Sequence, residues 1–165
     1  MTTAYPLCWP EGWPRTAEAD RTAGHFGKRD HVSGNYYAKR DLTVADAVKR
    51  VFDAARGFTK VGQDWRINPD DIIISSNVPT RSDGLPRSDG KKPGDPGVAV
   101  YWMEYKGGTY VQRAMAIDRY RTVADNLAAI AATLDAMRAI ERHGGAQILD
   151  RAFTGFTALP APGAR

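Results

Sequence analysis

Two carboxylates and a lysine have the spacing most suggestive of catalysis: Pro69-Asp70 precedes a β-branched run, and Glu104-Tyr105-Lys106 follows later in the chain. In letters this is the pattern of metal-dependent nucleases, in which carboxylates on neighbouring strands hold Mg²⁺ and a lysine assists the attacking water. Short two-part patterns also arise by chance. A turn at Gly107-Gly108 would set Lys106 in solvent and Glu104 on a frayed strand end, so the expectation is a solvated Glu/Lys pair beside a turn. Asp70, Glu104 and Lys106 remain as a catalytic set of last resort. Nucleophilic catalysis lacks its parts, because there is no G-x-S-x-G and Cys8 lies among prolines with no helix start to lower its pKa. Cys8, His25, His31 and His143 offer no zinc spacing, and Gly107-Gly108 is not followed by the Lys-Ser/Thr of a phosphate loop. Neither a metal nor a cofactor is expected.

The remaining chemistry-bearing residues are cations and aromatic rings. Arg81, Arg87, Lys91 and Lys92 lie in a stretch with two Ser-Asp-Gly turns, where cations and loop amides can grip phosphate oxygens, although Asp83, Asp89 and Asp95 offset much of the charge. A second basic stretch, 15–40, adds Arg29, Lys39 and Arg40. Tyr101, Trp102, Tyr105 and Tyr110 fall on strand-like segments, and such rings stack on bases irrespective of sequence. The nucleic-acid candidates are therefore Arg81, Arg87, Lys91, Lys92, Arg29, Lys39, Arg40, Tyr101 and Tyr110. Asp118-Arg119-Tyr120-Arg121 reads as structural, with Asp118 and Arg119 pairing with Asp125 and Arg142 to fix a strand-helix junction.

These residues must be positioned by few elements. Tyr5, Trp9 and Trp13 alternate with Pro6, Pro10 and Pro14, which predicts an extended segment anchored by buried rings. Residues 15–40 lack periodicity and read as a mobile basic loop. Thr43-Val44-Ala45-Asp46 is a capping box opening a helix over 44–56. Residues 71–76 form a β-branched run, hence a strand covered on both faces. Residues 79–97, rich in Pro and Gly, make a long flexible loop. Segments 98–105 and 109–118 are strands joined at Gly107-Gly108, which accept the positive φ of a tight turn. Thr122-Val123-Ala124-Asp125 is a second capping box, opening a helix of about 20 residues with an apolar stripe through Leu127, Ile130, Leu134, Met137 and Ile140 or Glu141. A short helix follows near Ile148 to Phe156, then a tail over 160–165. The fold class is α+β: a three-stranded antiparallel sheet in α-β-β-β-α-α order with helices on one face, in a single domain over 1–159.

Composition bounds the rest. The 165 residues are 42% hydrophobic and 25% charged, with 23 Lys+Arg against 19 Asp+Glu, a soluble globular composition of weakly basic balance. No stretch reaches the roughly 18 to 20 apolar residues a membrane span requires. No basic-then-apolar leader opens the chain, so the expected location is the cytoplasm.

Several motifs together carry a family resemblance. Tyr5-Pro6-Leu7, Trp9-Pro10, Gly12-Trp13-Pro14-Arg15-Thr16, Ile74-Ser75-Ser76-Asn77, Asp83-Gly84-Leu85-Pro86-Arg87-Ser88 and Asp95-Pro96-Gly97-Val98 resemble a family of small proteins encoded by phages, plasmids and integrative elements. Asp118-Arg119-Tyr120, Val123-Ala124-Asp125-Asn126, Ile140-Glu141-Arg142 and Phe153-Thr154-Gly155-Phe156 continue it. Members are commonly labelled J-domain-containing or DnaJ-like. The resemblance implies a mobile-element origin and that family's N-terminal domain. The chain has no His-Pro-Asp, the tripeptide with which a J domain stimulates its chaperone partner.

The function expected is thus a nonenzymatic nucleic-acid-binding accessory protein of a mobile element, with single-stranded DNA one candidate partner. A protein-protein adaptor is the runner-up and the Mg²⁺ nuclease the outsider. A nucleic-acid face should cluster cations, whereas an adaptor face should expose uncharged aromatics.

Overall fold

Val98, Val100 and Trp102 alternate with Ala99 and Tyr101 along one strand, and both sets are buried. Residues of opposite parity point to opposite faces of a sheet, so this strand must be covered on both sides. A computed structural model, describing residues 1–58 and 66–154, shows how. In chain order it contains β1 (Lys28–Ser33), β2 (Tyr36–Arg40), α1 (Val44–Arg56), β3 (Ile73–Ser76), β4 (Val98–Lys106), β5 (Thr109–Ile117), α2 (Val123–Arg142) and α3 (Ala146–Thr154). Strands β3, β4 and β5 form an antiparallel sheet in that order, the α+β arrangement expected from the sequence. The β4–β5 register is unbroken from Val98↔Ile117 to Lys106↔Thr109, and Gly107 and Gly108 close it at φ 60° and 82°.

One sheet face carries the main core. Val98, Val100, Trp102 and Met115 meet Val48 and Val51 of α1 and Leu127, Ile130 and Leu134 of α2. The other face is small, with Ala99, Ala114 and Ala116 around Tyr101, and is covered by Leu7, Cys8, Trp9 and Trp13 of the N-terminal segment. That segment is tied down by polar contacts as well. The Ser76 amide donates to Ala4 O (3.0 Å), the Cys8 amide to Ser75 Oγ (2.7 Å) and the Tyr101 hydroxyl to Cys8 O (2.9 Å). Burial, reinforced by the Cys8 thiol 3.8 Å from it, pushes the Tyr101 hydroxyl pKa upward. Trp9 and Trp13 act as anchors, whereas Tyr5 is half exposed and does not.

Two expectations are corrected. Residues 15–40 contain a β-hairpin, β1–β2, turning at Gly34 (φ 51°). Its side chains are exposed on most of both faces, so the apolar alternation that announces a strand is missing. Residues 79–97 form the expected loop, whose first part folds back on itself, with Thr80 bridging Pro86, the Arg81 amide donating to Leu85 O (2.8 Å) and the Arg87 amide to Pro79 O (3.0 Å). Asp70 and Asp71 lie in a 3₁₀ turn (Pro69–Asp71) that precedes β3. The end of the helix expected near Phe156 and the tail 160–165 lie outside the described residues.

The capping box at Thr43 is present: Thr43 Oγ1 accepts from the Asp46 amide (3.1 Å), and Asp46 Oδ2 accepts from the Thr43 amide (3.3 Å). Asp46 also pairs with Lys28 of β1 (3.4 Å) and Arg40 of β2 (3.1 Å), so one carboxylate both caps α1 and docks the hairpin on it. Partial burial raises its pKa, but the Thr43 hydroxyl and amide with Lys28 and Arg40 outweigh this and lower it from 3.8 to about 2. A carboxylate depressed in the folded state stabilises above its unfolded pKa and loses that stabilisation as pH falls through its folded pKa. Asp46→Asn is accordingly expected to flatten the fall in melting midpoint between about pH 4 and pH 2. A titration of midpoint against pH that matches the wild type over this window would refute the assignment.

Candidate nucleic-acid interface

Both long helices begin at the same place. The first residues of α1, Thr43 and Val44, and of α2, Thr122 to Asp125, line one cleft of about 570 Å³, closed by the exit of β2 and by residues 87–96. Thr43 and Thr122 each cap their helix, accepting from the amides of Asp46 and Asp125 (both 3.1 Å), but the box expected at Thr122 is half formed, because Asp125 Oδ2 accepts from the Thr122 hydroxyl (2.8 Å) and not from its amide. The Ala45 amide donates to Ser88 Oγ (3.2 Å), which ties the loop to the start of α1. The amides of Val44, Val123 and Ala124 make no hydrogen bond within the chain among the described residues, as first-turn amides of a helix commonly do not. Two positive dipole ends therefore face a common space.

Cations surround it. Lys39, Arg87, Lys91, Lys92 and Arg121 line the cleft against two carboxylates, Asp41 and Asp125, an excess of three positive charges. Among the described residues, Lys39, Lys91, Lys92 and Arg121 make no ion pair, while Arg87 pairs with the exposed Asp89 (3.1 Å). Like charges brought together without counter-charges repel, and an anion in the cleft relieves that repulsion.

The chain places these groups through polar contacts between distant segments. Asn126, fully buried in α2, donates to Pro96 O (2.8 Å) and Tyr120 O (3.0 Å) and accepts from the Tyr120 amide (3.0 Å). Asp95 accepts from the Gly97 amide (3.0 Å) and Arg15 (2.6 Å), so the C-terminal end of the 79–97 loop is pinned to the body. On the opposite wall the Thr22 amide donates to Arg119 O (3.1 Å) and the Arg121 amide to Thr22 O (3.0 Å). There the chain passes Asp125 so closely that a Cβ on Gly24 would lie 2.5 Å from the Asp125 Cγ.

Of the residues singled out from the sequence, Lys39, Arg87, Lys91 and Lys92 thus come together although they belong to separate basic stretches. Arg121, read as part of a structural junction, joins them. Arg81 does not: it pairs with Asp83 in an exposed turn and borders a separate depression with Phe52 and Pro86. Arg40 is engaged by Asp30 (2.6 Å) and Asp46, and Arg29 stands exposed on β1. Tyr101 and Trp102 are 4% and 1% exposed and cannot stack on a base, so the sheet is no recognition platform. Tyr101 is closed off by the N-terminal segment, the second layer that covers the face left open in the expected arrangement, and Trp102 by α1 and α2 on the other face. Tyr110 is 61% exposed at the tip of β5, remote in register from the strand ends that lead to the cleft.

The nuclease set is not assembled as a cation site. Glu104 is 6% exposed and is held by Arg66 (3.3 Å) and Arg113 (2.7 Å), one arginine on each oxygen. This overturns the solvated position expected for Glu104 at a frayed strand end, because Arg66, N-terminal to β3, lies against it. Asp70 lies exposed in its 3₁₀ turn, and the Lys106 side chain lies outside the described residues. Among the described residues no three His, Cys, Asp or Glu side chains converge on a metal position. Removing one member of a buried ionic group leaves a charge uncompensated, so Glu104→Ala is expected to destabilise by about 3 kcal/mol. An unchanged midpoint in urea would show that the cluster contributes nothing.

Asp118, expected with Arg119 to pair with Asp125 and Arg142, instead faces the N-terminal segment. It is 3% exposed, accepts from the Thr16 amide (3.0 Å) and pairs with Arg15 (2.9 Å) and Arg21 (3.5 Å). No helix among the described residues is long and apolar enough to cross a membrane. No protein-family model, curated protein or solved structure matches this chain.

Proposed function

We propose that this protein is a nonenzymatic nucleic-acid-binding accessory of a phage or other mobile element, acting in the cytoplasm and holding phosphates in the cleft between the starts of α1 and α2. The observation that carries the reading is convergence. Cations of two stretches about fifty residues apart in the chain, nominated on composition alone, border the same space as two helix N-termini. Phosphate recognition uses these groups: cations, hydroxyls and helix-start amides. The resemblance to the mobile-element family supplies the biological setting.

The test is a fluorescence anisotropy titration with single-stranded and duplex DNA at two salt concentrations. Binding through phosphates falls linearly in log affinity against log salt, because each neutralised phosphate releases a counterion. A salt-independent affinity, or no binding at low salt, refutes the reading. The adaptor reading then takes its place, favoured by the uncharged, exposed Val32, Tyr36 and Tyr110 at the two hairpin tips.

A further inference from the structure

The two faces of the β1–β2 hairpin spend their charges differently. On the face toward α1, Lys28, Asp30 and Arg40 are paired with one another or with Asp46. On the other face the register sets Arg29 opposite Lys39 and His31 opposite Tyr37. All four are exposed, and neither Arg29 nor Lys39 forms an ion pair among the described residues. The two rings meet edge to face at 5.3 Å between centroids, with His31 Nε2 hydrogen-bonded to Gly34 O at 2.8 Å.

This is a costly surface for an isolated hairpin. Like charges directly opposite each other destabilise a strand pair, and a two-stranded ribbon has little stability to spare. The cost disappears when an anion lies between the two cations. The step from the Arg29/Lys39 pair to the His31/Tyr37 pair is two residues, about 7 Å along the ribbon, which sets a phosphate position beside a ring position. Lys39 links this face to the cleft: its side chain runs past Gly27, where a Cβ would lie 3.0 Å from the Lys39 Cε, and reaches the cleft wall.

We infer that the outer face of the β1–β2 hairpin is a stacking platform for single-stranded nucleic acid, with a base on the Tyr37/His31 pair, a phosphate between Arg29 and Lys39, and the strand continuing into the cleft. The inference rests on the proposed function and adds to it a strand path and a preference for unpaired bases. A ring can stack only on a base that is not already stacked in a duplex, and the tolerance of stacking for any base suits binding without sequence preference. A protein occupant fits this face less well, because its paired cations would require matched carboxylates from the partner.

Anisotropy titrations with a labelled oligothymidine and with a mixed-sequence duplex of equal length test this. Tyr37→Ala and His31→Ala are each expected to weaken oligothymidine binding about tenfold and leave duplex binding unchanged, while Tyr37→Phe keeps the wild-type affinity. A Tyr37→Trp variant adds a second readout, since a base stacked on the new indole quenches its fluorescence, and this holds even if the alanine variants fold poorly. Wild-type affinity in Tyr37→Ala together with no quenching in Tyr37→Trp overturns the platform, as does a wild-type preference for duplex. If Lys91→Glu with Lys92→Glu still abolishes binding in that case, the cleft reading survives and only the hairpin fails. Absence of binding to either nucleic acid removes both.

Discussion

Deletion of residues 5–14 is expected to lower the melting midpoint by about 10 °C or more. The segment is the second layer of the sheet. Without it Tyr101, Ala99, Ala114 and Ala116 face water, and the Trp9 and Trp13 rings leave their places against them. Truncating a well-buried Trp costs about 3 to 5 kcal/mol and these two are partly buried, so the pair with Leu7 and Cys8 amounts to about 5 kcal/mol. A domain of this size shifts by about 2 to 4 °C per kcal/mol. Polar losses add to this, because the Tyr101 hydroxyl and Ser75 Oγ lose their partners at Cys8. Arg15, whose guanidinium lies 4.3 Å from the Trp9 ring centroid, would give up that cation–π stacking as well as the ordering of its pair with Asp118. Tyr5→Ala, by contrast, should change little, because Tyr5 is half exposed. Calorimetry of the deletion and the point variant checks both, and a deletion that melts with the wild type would show that the segment is not a structural layer.

How much of this was legible in the sequence depends on whether a signal was local. The Thr43 and Thr122 caps, the Gly107-Gly108 turn and the two strands beside it were read correctly because each needs only a few neighbouring residues. The β1–β2 hairpin was not, since a ribbon exposed on both faces carries no apolar alternation. Tyr101 misled for a related reason: a sheet with helices on one side leaves an open face on paper. Only the long-range packing of residues 7–13 on the sheet shows that this face is closed. Glu104 was misplaced because the arginine that covers it, Arg66, is 38 residues away. The cleft was half legible. Its cations could be named, but their convergence depends on Asn126 fixing Pro96 and on Thr22 bridging Tyr120, links across 30 and nearly 100 residues that no local pattern records.

That convergence turns a general expectation about basic loops into a spatially resolved one. Reversing Arg87, Lys91 and Lys92 to glutamate is expected to weaken nucleic-acid binding about 100-fold or more at low salt, uniformly across sequences. The slope of log affinity against log salt should flatten by about 2 for single strands, at about 0.7 for each phosphate no longer neutralised. Arg81→Glu should do neither. It lies in the same loop and has the same charge, but it pairs with Asp83 and borders the depression beside Phe52 instead of the cleft. A diffuse electrostatic field would feel all four reversals alike; a bound phosphate distinguishes them by position. Melting should stay near the wild-type midpoint in every variant, because exposed ion pairs such as Arg87–Asp89 contribute little to folding. If Arg81→Glu weakens binding as much as a single reversal at Lys91, the cations act only through net charge and the cleft is not the site. If the triple variant binds as the wild type does, phosphates are held elsewhere or not at all.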